Sequence, residues 1–216
     1  MIISPARKFI FVHIPKTGGT SLALALEDRA HRDDILIGDT PKAIKRKGRL
    51  KKLTAKGRLW KHSTLADIDG VLKPDALNDM FVFTLVRNPW DRIVSYYHWL
   101  RGQSFDHPAV ALAKAVPFED FVLHPGTGAS LRASPYASYV TDAAGINRAA
   151  AYVRLEALEQ DLAPVSAHLG FRLELPHANA SDRPRDYRTA YSGQSARAVA
   201  EMCEHDIAQF GYRFDA

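Results

Sequence analysis

The stretch KFIFVHIPKTGGTSL, residues 8–22, decides the fold, because it joins an apolar run to a loop that carries a lysine, two glycines and two threonines. Lys8 to Ile14 predicts a buried strand, since β-branched and aromatic residues occupy both of its faces. Thr20 to Ala30 is rich in Ala and Leu and predicts the helix that follows. A strand that passes through a short loop into a helix is the first half of an α/β unit.

The same alternation of strand and helix continues along the chain. Further strands are predicted at Met80–Val86 and Ala151–Leu155, and helices from Pro89, over Glu156–Leu169 and over Ser195–Phe210. Gly170 is a suitable C-cap for the middle helix. We find no repeat or linker that divides the chain, and therefore expect a single α/β domain over residues 1–216. Its central parallel sheet would be flanked by helices on both faces, with ligands at the carboxyl ends of the strands.

The loop after the first strand has the features of an anion site. Gly18 and Gly19 remove side chains where a backbone must approach an anion, and the helix start offers N–H groups and a positive dipole end. We therefore predict that the loop binds phosphate or sulfate. The alternative is a tight strand-to-helix turn, with Thr17 or Thr20 as the N-cap.

The position of Lys16 argues against the commonest phosphate loop. In the nucleoside-triphosphate loop GxxxxGK[ST], the lysine follows the last glycine and a hydroxyl residue holds Mg²⁺. Here Lys16 precedes both glycines, and no acidic strand end stands out as a metal partner. A Mg²⁺-dependent triphosphate hydrolase is therefore disfavoured, and no metal is expected.

A second motif, LVRNPWDRIVSYYHWL at residues 85–100, follows the second major strand. Arg87 would leave the strand end as a planar donor fork suited to a phosphomonoester, and Ser95 lies two helical turns further on. Asn88 is a candidate N-cap. The alternative is that Arg87 pairs with Asp91 at helical spacing and that Ser95 is a solvated helix residue.

Together the two motifs resemble those of the sulfotransferases that use 3′-phosphoadenylyl sulfate (PAPS), and especially a small bacterial group similar to carbohydrate O-sulfotransferases. HIPKTGGTSL is similar to the family's 5′-phosphosulfate loop, and VRNPWDRIVSYY to its 3′-phosphate element. The segments RLEALEQDL and RDYRTAYSGQSARAVAEMCEHDIAQFGYRF resemble the closing part of the group. The resemblance implies a P-loop fold related to the nucleotide kinases, with PAPS as donor and adenosine 3′,5′-bisphosphate (PAP) as product.

The resemblance also implies roles for individual residues. It places the phosphosulfate against the loop and the 3′-phosphate on Arg87 and Ser95; the loop residues are Lys16, Thr17, Gly18, Gly19, Thr20 and Ser21. Lys16 would neutralise the charge that develops on the bridging oxygen as the S–O bond breaks.

His62 is the candidate general base. Histidine has the side-chain pKa nearest to neutral pH, and His62 lies in the segment LWKHSTLADI, which resembles the KHxT segment of this group. We expect it in a loop, before a helix that starts near Thr64. The alternative is a surface or capping histidine. His13 is expected to be structural, and His98 and His177 are weaker candidates.

The positive charge of one segment suggests that the acceptor is anionic. The chain has a net charge of +5, and its segment 42–61 holds ten Lys or Arg and no Asp or Glu. This basic segment is predicted to be a substrate-side insertion that faces an anionic glycan or small molecule. The alternatives are a segment that faces an acidic lipid surface and a solvated segment. Trp60 would either stack on the acceptor or anchor the end of the segment in the core. Trp99 is expected to pack in the core. Nucleic acid is not expected as a partner, because no nucleic-acid-binding motif is present.

The remaining expectations concern localisation, rival functions and one later segment. No apolar run approaches the roughly 18 residues of a membrane span, Lys8 interrupts a secretory pattern, and Cys203 is the single cysteine, so a cytoplasmic protein is expected. The rivals are a nucleotide kinase or NTPase, and a non-catalytic protein that binds a nucleotide or a polyanion. Possible contacts of Asn179, Ser181, Arg183 and Arg185, and the oligomeric state, stay open.

Overall fold

The computed structural model describes residues 1–175 and 186–215. Of these, residues 1–86 and 136–175 form one compact unit, called here the sheet unit. Residues 87–135 and 186–215 form the second, called the helical unit. The single domain predicted over residues 1–216 stays a prediction.

The strands are β1 (Ile2–Ser4), β2 (Phe9–Val12), β3 (Ile35–Leu36), β4 (Phe81–Val86) and β5 (Ala149–Arg154). The α-helices are α1 (Gly19–Asp28), α2 (Pro41–Arg46), α3 (Pro74–Asn78), α4 (Pro89–Arg101), α5 (Pro108–Ala115), α6 (Phe118–Leu123), α7 (Pro125–Ala133), α8 (Tyr136–Tyr139), α9 (Leu158–Asp161), α10 (Ala163–Leu169), α11 (Gly193–Met202) and α12 (Glu204–Phe210). Turns of 3₁₀ helix cover Lys47–Lys52, Leu155–Ala157 and Tyr187–Ala190.

The sheet has the strand order β3-β1-β2-β4-β5. Strands β2, β4 and β5 run parallel, which confirms the predicted parallel core. Strand β1 is antiparallel to both β2 and β3, and this edge was not predicted. With three and two residues, β1 and β3 are too short to show a periodic pattern.

Both faces of the sheet are buried, as predicted for an α/β fold. Phe9 and Phe11 on β2 pack on one face, in a cluster with residues of α1 and α10. Ile10 and Val12 point the other way, into a second cluster that includes Leu65. Burying each such side chain stabilises the fold by about 1.5–3 kcal/mol. Burial on both faces therefore holds β2 rigidly and fixes the start of the loop that follows it.

Two predicted helices are divided in the structure. The segment predicted as Glu156–Leu169 forms a 3₁₀ turn and the short helices α9 and α10, because a proline stands in the first turn of α10. Its predicted end is confirmed, since Gly170 has the left-handed φ of 75°. The segment predicted as Ser195–Phe210 is interrupted at Cys203, between α11 and α12.

The helical unit is built around α4. Its predicted start is confirmed: Pro89 stands in the first turn, and the Asn88 side chain accepts a hydrogen bond from the Trp90 amide at 3.1 Å. The apolar face of α4 is buried against α5, α6 and α11. Trp99 lies on the other face and is 40% exposed, so its expected place in the core is wrong. No helix in the described ranges is long and apolar enough to cross a membrane.

Candidate active site

The predicted anion loop connects β2 to α1 in the sheet unit. It contains two residues with left-handed backbone angles, Lys16 with a φ of 66° and Gly18 with a φ of 86°. Glycine adopts such an angle freely, whereas lysine does so at a cost of about 1–2 kcal/mol. A strained non-glycine residue in a loop is a common mark of a functional position. The strained backbone therefore indicates that Lys16 is the residue of the loop with a functional role.

Gly18 and Gly19 are required for different reasons. Gly18 has the left-handed φ, and a Cβ there would also lie 2.9 Å from Cδ1 of Leu155. Gly19 is the first residue of α1, where a Cβ would lie 2.4 Å from Cδ2 of His13. The sequence predicted that the two glycines make room for an anion. In the structure they also make room for two side chains of the protein.

The hydroxyl residues of the loop have separate surroundings. Thr17 is fully buried, and its hydroxyl donates to the carbonyl oxygen of Ile14 at 2.9 Å. Thr20 lines a small cavity that also includes His13, Glu27 and Lys61. The N-cap of α1 is Gly18 and no side chain caps it, so the alternative of a threonine N-cap is wrong. The first turn of α1 holds no acidic residue, which leaves its positive dipole end available to an anion.

His62 lies beside the residue that precedes the loop. Its Nδ1 is 2.7 Å from the backbone carbonyl oxygen of His13, and the two rings meet edge to face with centroids 4.8 Å apart. A carbonyl oxygen only accepts hydrogen bonds, so Nδ1 carries the proton and Nε2 of a neutral His62 has the lone pair. The expected helix from Thr64 is instead a turn, closed by hydrogen bonds between Thr64 and Asp67.

Both histidines are neutral at pH 7. Burial, assisted by the positive charge of Lys61, lowers the pKa of His62 to about 4, although the hydrogen bond to His13 acts in the opposite direction. Burial is also the main reason why the pKa of His13 lies well below its usual value. His62 is therefore in the protonation state that a general base requires, with its acceptor nitrogen at Nε2.

The second predicted motif lies in the helical unit. Nε and Nη2 of Arg87 donate to one carboxylate oxygen of Asp91, at 2.8 and 2.5 Å, so the pairing considered from the sequence is present. It occupies one edge of the guanidinium group. Ser95 follows Asp91 by four residues and therefore lies on the same face of α4. Ser95 is only 4% exposed, which rules out the alternative of a solvated helix residue.

The basic segment 42–61 belongs to the sheet unit, and both of its ends are held in place. At its start, the Lys42 ammonium donates to the backbone carbonyl of Glu27 in α1, and at its end Lys61 pairs with Asp39 at 3.0 Å. Of its ten cations, only Lys56 and Lys61 form ion pairs with carboxylates in the described ranges. Six of the others are exposed: Lys45, Lys47, Arg49, Lys51, Lys52 and Arg58.

The remaining residues considered from the sequence fall in other parts of the chain. His98 belongs to α4 of the helical unit, and Cys203 is buried there with its pKa raised to about 11, which keeps it an inert thiol. His177, Asn179, Ser181, Arg183 and Arg185 lie outside the described residues. No group of three or more metal-binding side chains occurs in the part of the chain that the structure describes.

Comparison with known proteins settles the family. A sequence model of the sulfotransferase family matches residues 1–213, which is nearly the whole chain. The protein belongs to the sulfotransferase family. This confirms the family suggested by the two motifs, and the α/β sheet flanked by helices is the expected fold of a sulfotransferase.

Two further comparisons add little to the family model. No curated protein matches the chain of this sulfotransferase. Among solved structures, the crystal structure of mouse sulfotransferase SULT7A1 complexed with PAP is similar, with 15% identity and a TM-score of 0.48. That similarity covers 95% of this chain and 85% of the mouse chain, and at this TM-score it supports no inference about ligands or residues.

Sequence reasoning missed two residues of this candidate site. It treated His13 as a support for the turn and did not connect it with His62, which lies 49 residues further along the chain. It also did not find Leu155, whose side chain packs against Gly18 of the loop. The only signal for Leu155 is its position after β5, at the same edge of the sheet as the loop after β2.

Proposed function

We propose that the protein transfers a sulfuryl group from PAPS to a hydroxyl of a carbohydrate or carbohydrate-bearing acceptor. The observation that carries the proposal is the pairing of a lysine in a strained anion loop with a neutral histidine fixed beside that loop. The family gives the class of reaction. The donor, the acceptor and the roles of the residues are inferences from chemistry.

In this proposal Lys16 acts at the leaving group. Sulfuryl transfer breaks the bond between sulfur and the oxygen that bridges it to the 5′-phosphate, and negative charge develops on that oxygen. The Lys16 ammonium group would stabilise the charge as PAP departs, and the backbone N–H groups at the start of α1 would bind the phosphate. Because the cation comes from the chain itself, no metal is needed at this step.

His62 acts at the acceptor. Its Nε2 would take the proton of the acceptor hydroxyl while the oxygen attacks sulfur in line with the departing phosphate. The hydrogen bond from Nδ1 to the His13 carbonyl would stabilise the imidazolium that forms, because a charged donor strengthens such a bond. The positive charge would also be favoured by the anionic donor once it occupies the loop.

Arg87 and Ser95 are proposed to bind the 3′-phosphate of the donor. A guanidinium group that Asp91 already orients loses little freedom when it binds a phosphate, so this pairing prepares Arg87 for a charge-assisted contact. The nearly buried Ser95 hydroxyl would add one neutral hydrogen bond.

The acceptor side is proposed from the basic segment and Trp60. Trp60 is 44% exposed, and its ring meets the His62 ring edge to face at 5.1 Å, so an aromatic surface adjoins the proposed base. Such a face suits a sugar ring. The exposed cations that lack carboxylate partners precede it in the chain. An anionic glycan or another anionic acceptor would satisfy both features.

A binding experiment separates this proposal from a nucleotide kinase. We expect PAP to raise the melting temperature in the presence of EDTA, and ATP with Mg²⁺ to raise it much less. Stabilisation by Mg·ATP alone would overturn the proposal in favour of a kinase or NTPase.

A second experiment separates it from a non-catalytic binding protein. Under the proposal, Lys16→Ala abolishes transfer of labelled sulfate to a glycan, while the wild type transfers it. A protein that only binds would transfer no sulfate in either form, and would bind the anionic polymer equally well with or without Lys16.

A further inference from the structure

The side chain of His13 lies between the phosphate loop and the His62 ring. On one side, an added Cβ at Gly19 would lie 2.4 Å from Cδ2 and 2.6 Å from Nε2 of His13. On the other side, the His62 ring meets the His13 ring at an interplanar angle of 79°. One imidazole therefore touches both the start of α1 and the proposed base.

The His13 ring has little room to move. It is 4% exposed, and the ring of the fully buried Phe11 stacks on it with centroids 5.8 Å apart. In a close-packed interior, a ring held on three sides does not shift without displacing a neighbour. A group that displaces the ring from α1 would therefore disturb its contacts with Phe11 or with His62.

The backbone does not require glycine at position 19. The left-handed angles of the loop belong to Lys16 and Gly18, whereas Gly19 begins α1 with an angle that alanine also adopts. The close contact of a Cβ at this position is with the His13 ring. Room for that ring is thus a sufficient reason for the second glycine of the loop.

We propose that the ring of His13 makes glycine necessary at position 19, because a side chain there would displace the ring and disturb both the loop and His62. The inference rests on the proposed function, because it concerns the alignment of the proposed base with the proposed donor site. It differs from the usual reason for such a glycine, which is direct approach of the backbone to a phosphate.

The test is a double-mutant cycle of Gly19→Ala, His13→Ala and the double variant. We measure PAP affinity by calorimetry and the tautomer of His62 by ¹⁵N NMR of histidine-labelled protein, with His62→Gln to assign the resonance. Gly193→Ala is the matched control, since Gly193 is likewise the first residue of a helix, α11, and a Cβ there has ordinary space.

We expect Gly19→Ala to weaken PAP binding at least tenfold and to disturb the single Nδ1–H tautomer of His62. Adding His13→Ala should restore the tautomer, because the main-chain carbonyl at position 13 remains, and should recover most of the affinity. Gly193→Ala should change neither. If Gly19→Ala does not fold, we expect the double variant to recover folded protein.

The proposal is overturned if the double variant keeps the full defect of Gly19→Ala, because glycine would then be needed for the phosphate itself. It is also overturned if Gly19→Ala leaves both readouts unchanged, or if the single and double variants both fail to fold. If the wild type does not bind PAP, the proposed function fails, whereas the tautomer measurement still decides the role of His13.

Discussion

The Nδ1 atom of His62 is 2.7 Å from the carbonyl oxygen of His13, which joins the proposed base to the residue before the predicted anion loop. This bond fixes the tautomer, so Nε2 carries the lone pair. It comes from the main chain, so no side-chain substitution at position 13 removes it. The tautomer of His62 is therefore set by the backbone path from β2 into the loop.

Replacing His62 tests its role as base. We expect His62→Gln to lower kcat by about 10²–10⁴-fold, because glutamine cannot take the acceptor proton, and to leave PAP affinity within about twofold. His168→Gln is the control, since His168 also bonds a backbone carbonyl, that of Arg7, at 2.9 Å. Near-normal turnover by His62→Gln with a true acceptor would show that another group is the base.

Lys16 should show a conflict between stability and activity. Lys16→Gly removes the side chain at a left-handed position, so we expect a fall in kcat of at least about 10²-fold with no loss of stability. Relief of strain would raise the unfolding free energy by up to about 1 kcal/mol, partly offset by the greater freedom of glycine in the unfolded chain.

Lys8 provides the matched control for this substitution, because it has a φ of 51° in the turn between β1 and β2. Lys8→Gly should have a similar effect in thermal unfolding and none on turnover. Retained activity in Lys16→Gly would remove Lys16 from the mechanism.

The proposed 3′-phosphate contacts of Arg87 and Ser95 can be tested separately with two nucleotides. We expect Arg87→Ala to weaken PAP binding by about 10–100-fold, the value of a charge-assisted contact, and to leave adenosine 5′-phosphate almost unaffected. Ser95→Ala should do the same to a smaller extent. Arg101→Ala, in the last turn of the same helix, is the control. Equal losses for both nucleotides in calorimetry would show that Arg87 acts on the fold or on the 5′ side.

Stability should fall as the pH falls from about 6.5 towards 4. The folded-state pKa of His62 is about 4, below the ordinary histidine pKa of about 6.5, so the unfolded chain binds protons first on acidification. From pH 7 to pH 5 this removes about 2 kcal/mol of unfolding free energy. The pKa of His13 is also lowered in the folded state, so His13 reduces stability at low pH in the same way. Urea unfolding at both pH values should therefore show a smaller difference for His62→Gln, and an unchanged difference would contradict the neutral, partly buried His62.

The basic segment should govern acceptor affinity. We expect Lys45→Glu with Lys51→Glu to raise KM for an anionic glycan about tenfold, to reduce the salt dependence and to leave kcat unchanged, because distant charges act on association. Lys73→Glu with Lys114→Glu, also exposed, is the matched pair. If both pairs raise KM equally, net charge alone is responsible and the segment is a solvated one.

The parallel core and the loop were predictable because their signals are local. The strand Phe9–Val12 and the helix start at Gly19 follow each other in the sequence, and the same holds for β4, Arg87 and α4. The short strands β1 and β3 were not predictable, because a few residues carry no period. Their pairing depends on contacts between distant parts of the chain.

The candidate site was predictable in its residue types but not in its contacts. Lys16 and His62 were named from the sequence, whereas the bond from His62 to the His13 carbonyl joins residues 49 positions apart. No pattern of side chains reveals a main-chain acceptor. The sequence likewise explained Gly19 by the approach of an anion. The close fit of the His13 ring at Gly19 becomes visible only in the structure, where α1 packs on β2.

The most direct test of sulfuryl transfer is a single assay with ³⁵S-labelled PAPS, a panel of neutral and anionic glycans, and EDTA. The account predicts that the wild type labels at least one glycan and releases PAP, and that Lys16→Ala loses this label by at least about 10²-fold. Absence of label on every glycan, with PAPS intact and PAP unable to bind, would contradict the account.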